Sequence, residues 1–590
     1  MSERQVPDAE ARLLAETTFD RNVVVIAGAG TGKTTLLVNR ILNVLMREPE
    51  PVPITHLVAL TFTNKAATEM KIRLRERLHS LQAEEAQGTG SGSVAAADLR
   101  DRYGLTTDRI VERASQALHD LEKAQIGTLH SFAAHLLRLH PIESGVDPSF
   151  QEDEGDRFVE YFSAQWDAWL DGELGRTGAN RAGWRQVLQV VGLDELRDLA
   201  NALASELISI PDLAAQVETG SLTPALRDWF AARRARAETL LVSHPDGKKP
   251  LKVAQMLAAA RDLFGRLIEQ GVQGVTTFGQ EGWEWLGKDL GAAPKGWAGE
   301  DFAEARRLIE GAQSVLTVDQ PLMAELLRLL RPFVERVRSG FVAEGWLSFD
   351  GLLARARTLL RDHPRIRERL KRDYRAILVD EFQDTDPVQY EIVLFLSERP
   401  GSCGTAWQSV ALEPGKLFIV GDPKQSIYAF RRADIEAFER VVEKVESGGG
   451  VVLKLATNFR SHGAVLEVVN TMFDRLLTQQ EHLQPPNVPL LVQPGRKGGL
   501  ASPGASLLLV GGADEERDVE AAAATRAEAE SLARWIKEEL LAREVLTDAQ
   551  GRPAPLQPGQ VALLFRKLTQ AQDYLDALRR HGIPYVTDGE

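Results

Sequence analysis

The chain has 590 residues, 70 of them Lys or Arg and 84 Asp or Glu, for a formal net charge of −14, with 44% hydrophobic and 26% charged residues. These fractions are globular; they exclude a disordered, collagenous or fibrous chain and lead one to expect about four domains at ~150 residues each. The one cysteine, Cys403, excludes an internal disulfide, a Cys-rich zinc site and a four-Cys iron–sulfur site.

The N-terminus, MSERQVPDAEARLL, lacks the basic start and apolar core of a signal peptide. No apolar run reaches the ~20 residues that span a bilayer. A soluble cytoplasmic chain without membrane contact is expected. The acidic balance argues against bulk coating of DNA, for which a pI above ~9 is the usual footprint. It leaves room for nucleic acid held in a local basic cleft.

In chain order, residues 22–27 (NVVVIA) are a short apolar run, read as a buried parallel strand. Helical spacing follows over 33–46, a second strand over 57–62 and a charged helix over 64–79. That βαβ pattern indicates an α/β domain. Residues 82–98, rich in Gly, Ser and Ala, read as a flexible loop. From about 108 to 345 the pattern is helical. Seven of the ten tryptophans fall between 166 and 297 and are read as anchors of a helical core. Strand signals return at 375–380, 417–421 and 451–456, so a large helical insertion interrupts the α/β domain. The basic stretch 365–375 reads as a solvated helix face, with a DNA patch as the alternative. Residues 484–505 are Pro/Gly-rich and read as a linker. A strand (506–510), a helix (528–541), a strand (561–565) and a helix (569–581) then open a second α/β domain. No repeat of 20–50 residues is visible.

Residues 27–34 read AGAGTGKT between a strand and a helix. Glycines let backbone N–H groups approach a polyphosphate, and the helix presents its positive end. Ala27, Gly28, Ala29, Gly30, Thr31, Gly32, Lys33, Thr34 and Thr35 are therefore candidates for binding ATP. Lys33 would reach the β- and γ-phosphates, and the Thr34 hydroxyl would ligate Mg²⁺. Residues 377–386 read ILVDEFQDTD, a strand ending in paired acids. Asp380 can hold the magnesium shell. Glu381 is placed to orient and deprotonate a water for in-line attack.

Six segments occur in one order: AGAGTGKT, TFTNKAATEM (61–70), TLHSF (128–132), DEFQDT (380–385), GDPKQSIYAFRRAD (421–434) and NFRS (458–461). The set resembles the UvrD/Rep-like DNA helicases, and GDPKQSIYAFRRAD resembles the RecB/AddA branch, the helicase subunits of helicase–nucleases. The resemblance covers 23–132 and 346–590. It implies a P-loop RecA-like motor: 1–132 and 346–480 as the first core domain, 133–345 as a helical insertion, and 481–590 as the start of a second RecA-like domain. It implies ATP and Mg²⁺ as cofactors. It further implies that Gln425 senses the γ-phosphate and that Arg460 clamps it. An amide can accept from water and donate to phosphate, and a guanidinium stabilises transition-state charge. From residue type alone, Gln425 also fits a turn and Arg460 a surface ion pair.

On the DNA side, Phe62, Thr63 and Asn64 sit at a strand end, where a ring can stack on a base and polar groups can meet phosphate. Tyr428 and Phe430 interleave with Arg431 and Arg432, the combination that sequence-blind single-strand binding uses. Core positions are the lesser alternative for Phe62 and Phe430. His130, beside Ser131, fits either a buried hydrogen-bonded histidine or a DNA contact.

Three departures from the family stand out. Glu10 is the nearest candidate for the adenine-reading glutamine, and it cannot donate to ring N7 unless protonated. Thr35 stands where UvrD-type relatives often have an arginine on the adenine. The family also continues beyond 582–585 (GIPY) into a second insertion, a TxHxxKGLE-like motif, a further γ-phosphate arginine and, in many members, a nuclease domain. A fragment, a truncated product or a motor completed by a partner is expected, with nucleotide and DNA binding and slow turnover. The resemblance implies a nucleoid-associated 3′→5′ helicase of double-strand-break repair, acting on single-stranded DNA and duplex ends beside a nuclease or an AddB/RecC-like partner. A non-enzymatic DNA-binding protein is the alternative.

Overall fold

The computed structural model describes residues 6–87, 96–245, 251–295, 297, 299–317, 319–427, 435–478, 484–494, 505–509, 521–543, 545–547 and 553–587. Among the described residues up to 455, eight strands organise the fold: β1 Val23–Ala27, β2 Leu57–Thr61, β3 Gln125–Thr128, β4 Gln151–Asp153, β5 Trp346–Ser348, β6 Ala376–Val379, β7 Leu417–Gly421 and β8 Val451–Leu455. Six of them form one sheet in the order β3-β2-β6-β7-β1-β8. Every neighbouring pair is parallel.

Parallel strands covered on both faces read as unbroken apolar runs. Here successive residues feed two cores: Val23 and Val25 enter one, Val24 the other. Leu57 and Ala59 divide from Val58 and Leu60 in the same way. Helix α1 (Ala9–Thr17) packs on α2 (Lys33–Met46), and α3 (Asn64–Gln87) follows β2. Helix α3 overturns part of the expected loop at 82–98. Residues 82–87 continue the helix, and 96–103 form another, because Gln, Ala, Glu and Leu are good helix formers.

The helical insertion leaves and re-enters through β4 and β5, which pair in parallel. Its helices hold two apolar clusters. Phe162, Trp166, Trp169, Trp184 and Phe333 centre one; Phe230, Leu257, Phe264 and Trp297 centre the other. The tryptophan expectation needs correction at two positions. Trp229 is 40% and Trp283 39% exposed. The Arg233 guanidinium lies over the Trp229 ring at 3.2 Å and substitutes for core packing.

The basic stretch 365–375 is not a fully solvated face, although Arg365, Arg369, Arg372 and Arg375 are exposed. Its helix, Pro364–Asp373, buries Arg367 and Lys371 completely. Arg367 pairs with Glu398 at 2.6 Å, and Lys371 pairs with Glu398 at 3.3 Å and Glu368 at 2.8 Å. The cluster lies just before β6 and β7, at the N-terminal edge of the sheet. The chain there must turn inward, and long cationic stems fill the gap.

Part of the expected linker is also docked. A two-residue strand, Leu491–Val492, pairs in parallel with Thr457–Asn458. Leu490 packs so close to Gly28 that a Cβ there would lie 2.6 Å from its side chain.

The chain divides into two compact units, residues 1–460 with 474–493, and 461–473 with 494–590. Among the described residues of the second unit, a helix over Ala521–Trp535 packs on one over Ala571–Arg580 around Ala529, Ala533, Tyr574 and Ala577. The strands expected at 506–510 and 561–565 carry no ladder pairing over their described residues. Leu507, Leu509 and Leu564 are more than 80% exposed. A strand is defined by a hydrogen-bonded neighbour, and apolar composition alone does not supply one.

Candidate active site

In an open parallel sheet the C-terminal ends of all strands share one edge, where ligands bind. That edge collects the loops after β1 (28–32), β2 (62–63), β6 (380–384), β7 (422–426) and β8 (456–460), with His130 and Ser131 just past β3. The expected ATP-site residues follow β6, β7, β1 and β8. Phe62, Thr63, Asn64 and His130 follow β2 and β3, towards the other side of the same sheet.

The phosphate loop is held open by its backbone. Gly30 has φ +70° and Gly32 φ +85°, a conformation L side chains rarely adopt. At Gly30 a Cβ would meet Asn458 Nδ2 at 2.6 Å. The buried Thr31 closes the loop by donating its hydroxyl to the Gly28 carbonyl at 2.7 Å. Helix α2 begins at Lys33, so Lys33, Thr34 and Thr35 occupy its first turn, where free N–H groups favour an anion.

Lys33 Nζ donates to Glu381 Oε2 at 2.5 Å. Glu381 has φ 48° and ψ 44°, the one positive φ outside glycine among the described residues. Left-handed backbone of this kind stores ~1–3 kcal/mol and concentrates where chemistry requires an exact aim. Asp380, at the end of β6, accepts from the Glu381 N–H at 3.0 Å. Burial, with the Glu381 charge beside it, pushes the Asp380 carboxyl up to about 7. A cation at this position would restore its ionised form. The hydroxyl of Thr34 and the carboxylate of Asp380 are hard oxygen donors, the kind Mg²⁺ takes in company with substrate phosphates.

The loop after β7 folds round Asp422. Its carboxylate accepts from the Lys424 N–H at 3.1 Å and from Gln425 Nε2 at 2.7 Å. The segment after β8 docks directly on the phosphate loop. Asn458 Nδ2 donates to the Ala29 carbonyl at 2.6 Å, and the Phe459 N–H to the Gly30 carbonyl at 2.8 Å. The Asn458 amide oxygen also accepts from the Arg460 N–H at 2.9 Å, which holds Arg460 beside Gly30.

Sequence reasoning passed over Asp8, Arg12, Gln383, Asp422 and Asn458. Arg12, not Glu10, is the residue of α1 that reaches the loop; Glu10 is exposed. Arg12 donates to the Thr31 carbonyl at 2.8 Å and to the Thr457 carbonyl at 3.3 Å, pairs with Asp8 at 3.0 Å, and lies over the Phe459 ring at 4.8 Å. A charged i, i+4 pair just ahead of a phosphate loop was the available signal. Of the DNA candidates, Phe62 is half-buried and Thr63 and Asn64 are exposed, with Thr63 capping α3 through the Ala66 N–H. His130 packs against Phe349 at 4.9 Å, and burial lowers its pKa. Tyr428, Phe430, Arg431 and Arg432 lie outside the described residues.

Asp384 is pushed up to about 6 by burial and by the nearby Glu381 charge. Its native carboxyl therefore holds a proton that the unfolded chain releases near the ordinary value of 3.8. The native state binds the extra proton between those values, so this group lowers stability as pH rises through them. Asp384→Asn is expected to stabilise the fold by about 1–2 kcal/mol at neutral to alkaline pH, allowing for partial solvent screening. The gain should vanish below about pH 4, as read by denaturant midpoints across pH. A gain that persisted in acid would contradict this account.

The family model of the UvrD/REP helicase N-terminal domain matches residues 9–446. A Geobacillus kaustophilus protein, named as one of the subunits of an ATP-dependent helicase/nuclease, is 28% identical, over 96% of this chain and 48% of its own length. Proteins of the same name from Streptococcus suis and Streptococcus sanguinis are 26% and 27% identical, over 100% and 78% of this chain and 48% and 38% of theirs. The chain thus spans about half or less of the length of these curated relatives.

Proposed function

This chain belongs to the UvrD/REP helicase family, and on that footing we propose that it couples Mg-ATP hydrolysis to 3′→5′ movement on single-stranded DNA in double-strand-break repair. The observation that carries the reading is the meeting at the phosphate loop of Lys33, Glu381 and the Asn458–Arg460 segment, each from a different strand end. The relatives' name supports the RecB/AddA branch and, with it, a nuclease or AddB/RecC-like partner. Cytoplasmic, nucleoid-associated action on duplex ends fits that branch. Among the described residues no helix is long and apolar enough to cross a membrane.

In this reading the loop amides, Lys33 and the start of α2 bind the triphosphate. Thr34 and Asp380 would hold Mg²⁺, which offsets phosphate charge. Lys33 exchanges Glu381 for the phosphates, and the freed carboxylate orients water and accepts its proton. Gln425 and Arg460 meet the γ-phosphate, Arg460 to stabilise charge in the transition state. The loop holding Gln425 leads to the arginine and aromatic residues at 428–432, which links the nucleotide to the DNA strand that they and Phe62, Thr63, Asn64 and His130 contact. The core-domain boundaries proposed for this motor are 1–132 and 346–480, with 133–345 inserted and 481–590 beginning a second core domain.

The test is hydrolysis of radiolabelled ATP by the full chain with and without oligothymidylate, alongside fluorescent-ATP binding. Hydrolysis is expected to rise with DNA. Lys33→Ala is expected to weaken nucleotide binding about 10- to 100-fold, the loss of one charge-assisted contact. Equal binding by parent and variant would overturn the proposal. Binding without any turnover would favour a non-enzymatic role instead.

A further inference from the structure

Gln383 lies in the single turn Phe382–Asp384 just after the paired acids and is 1% exposed. Its amide has a partner at each end. Nε2 donates to Glu381 Oε2 at 2.9 Å and to Asp384 Oδ2 at 3.2 Å. Oε1 accepts from the Asp422 N–H at 2.8 Å. Its main-chain carbonyl accepts from Ser426 Oγ at 3.2 Å. The amide orientation is forced, since a flip would turn its oxygen onto two carboxylates and its NH₂ onto a backbone donor. The approach is close as well: a Cβ on Gly421 would lie 2.9 Å from Oε1.

We propose that Gln383 is a positioning residue that aims the Glu381 carboxylate and ties it to the 422–426 loop. The proposal rests on the ATPase reading above. Glu381 Oε2 has two donors here, Lys33 and Gln383. When Lys33 turns to the phosphates, Gln383 remains to hold the carboxylate in its strained backbone setting. Its other end grips the loop in which Asp422 binds Gln425. A run of contacts therefore joins the base, Gln383, Asp422 and Gln425, and movement of the loop is felt at the base. A side chain that merely knitted two loops together would need only the bond to Asp422.

Gln383→Glu separates the two roles. It keeps an acceptor for the Asp422 N–H and sets a carboxylate against Glu381. Single-turnover ATP hydrolysis by the full chain with oligothymidylate is expected to fall about 100-fold, as for a misaimed catalytic group. Affinity for a fluorescent ATP analogue should change by less than about threefold, as expected when only transition-state alignment is lost. The ratio of rates with and without DNA should collapse towards one. Gln383→Met, of similar length and uncharged, should show the same loss of DNA stimulation; melting curves for both variants establish that they fold. A Gln383→Glu or Gln383→Met chain that folds and hydrolyses ATP at the parent rate with DNA stimulation intact overturns the inference. If the parent shows no turnover, the hydrolysis reading fails by itself. The inference is then judged by the DNA-dependent shift in ATP-analogue affinity, which the variants must abolish for it to stand.

Discussion

Glu381→Gln is expected to lower the rate of ATP hydrolysis by about 10²–10⁴-fold, the contribution of a positioned general base. Nucleotide affinity should hold or improve. Lys33 is bound to Glu381 at 2.5 Å, so phosphate must displace that carboxylate. Glutamine is a weaker partner for an ammonium, and a Lys33 held less tightly is more available to phosphate. The substitution keeps the side-chain shape and the left-handed backbone at 381, so it adds no new backbone strain. Single-turnover rates and analogue binding, measured on one preparation, separate the two effects. A variant with weakened binding and an unchanged chemical step would show that Glu381 serves nucleotide binding and that another group activates water.

The second large effect lies at the opposite edge of the sheet. Glu398→Gln is expected to destabilise the first unit by about 3–5 kcal/mol, the usual result of leaving buried cations without their counter-charge. Glu398 is 1% exposed and faces Arg367 at 2.6 Å and Lys371 at 3.3 Å. Its other oxygen accepts from the Gly404 N–H at 2.7 Å, a bond that glutamine can keep. Arg367 also donates to the Gly404 carbonyl at 2.7 Å and lies over the Phe395 ring at 4.1 Å. A third buried cation, the Lys416 ammonium, donates to the Lys371 carbonyl at 2.5 Å, and burial pulls the Lys416 pKa below the usual lysine range. Three cations thus share this pocket, and Glu398 is the fully buried carboxylate among them. Glu368 also pairs with Lys371, but its side chain is partly solvated. Lys371 holds the Glu368 pKa down at about 2, but solvent screens part of that interaction, so Glu368→Gln should cost less than Glu398→Gln, about 1–2 kcal/mol. Amide exchange on β6 and β7 reads the difference locally, without assuming that the whole chain unfolds in one step. Equal protection in the two variants would refute this ordering.

The chemistry-bearing segments were legible because their signals are local. A strand, a glycine-rich turn and Lys-Thr at a helix start need only consecutive residues, and so do paired acids after an apolar strand. The helical insertion was legible from periodicity. Local signals misled where burial depends on distant chain. Arg367 and Lys371 sit four apart on a helix with interspersed acids, the pattern of a solvated face, and are buried because Glu398 and the 402–404 turn close over them. Residues 506–509 and 561–565 have strand composition without a paired neighbour among the described residues, and composition cannot say whether one exists. Glu10 drew attention through its place in the family pattern, whereas Arg12 makes the contact because α1 turns that side towards the phosphate loop.

Residue order in this chain dictates its class, its phosphate loop, its acids and the identity of the groups proposed to bind and cleave a triphosphate, since each rests on neighbours within a few positions. The tertiary fold alone chose which of them meet. Lys33 and Glu381 are 348 positions apart, and Gln383 and Asp422 are 39 apart. Their contacts arise from the order β6-β7-β1-β8, which no spacing along the chain encodes, because pairing between distant strands is settled by the shared burial of two sheet faces.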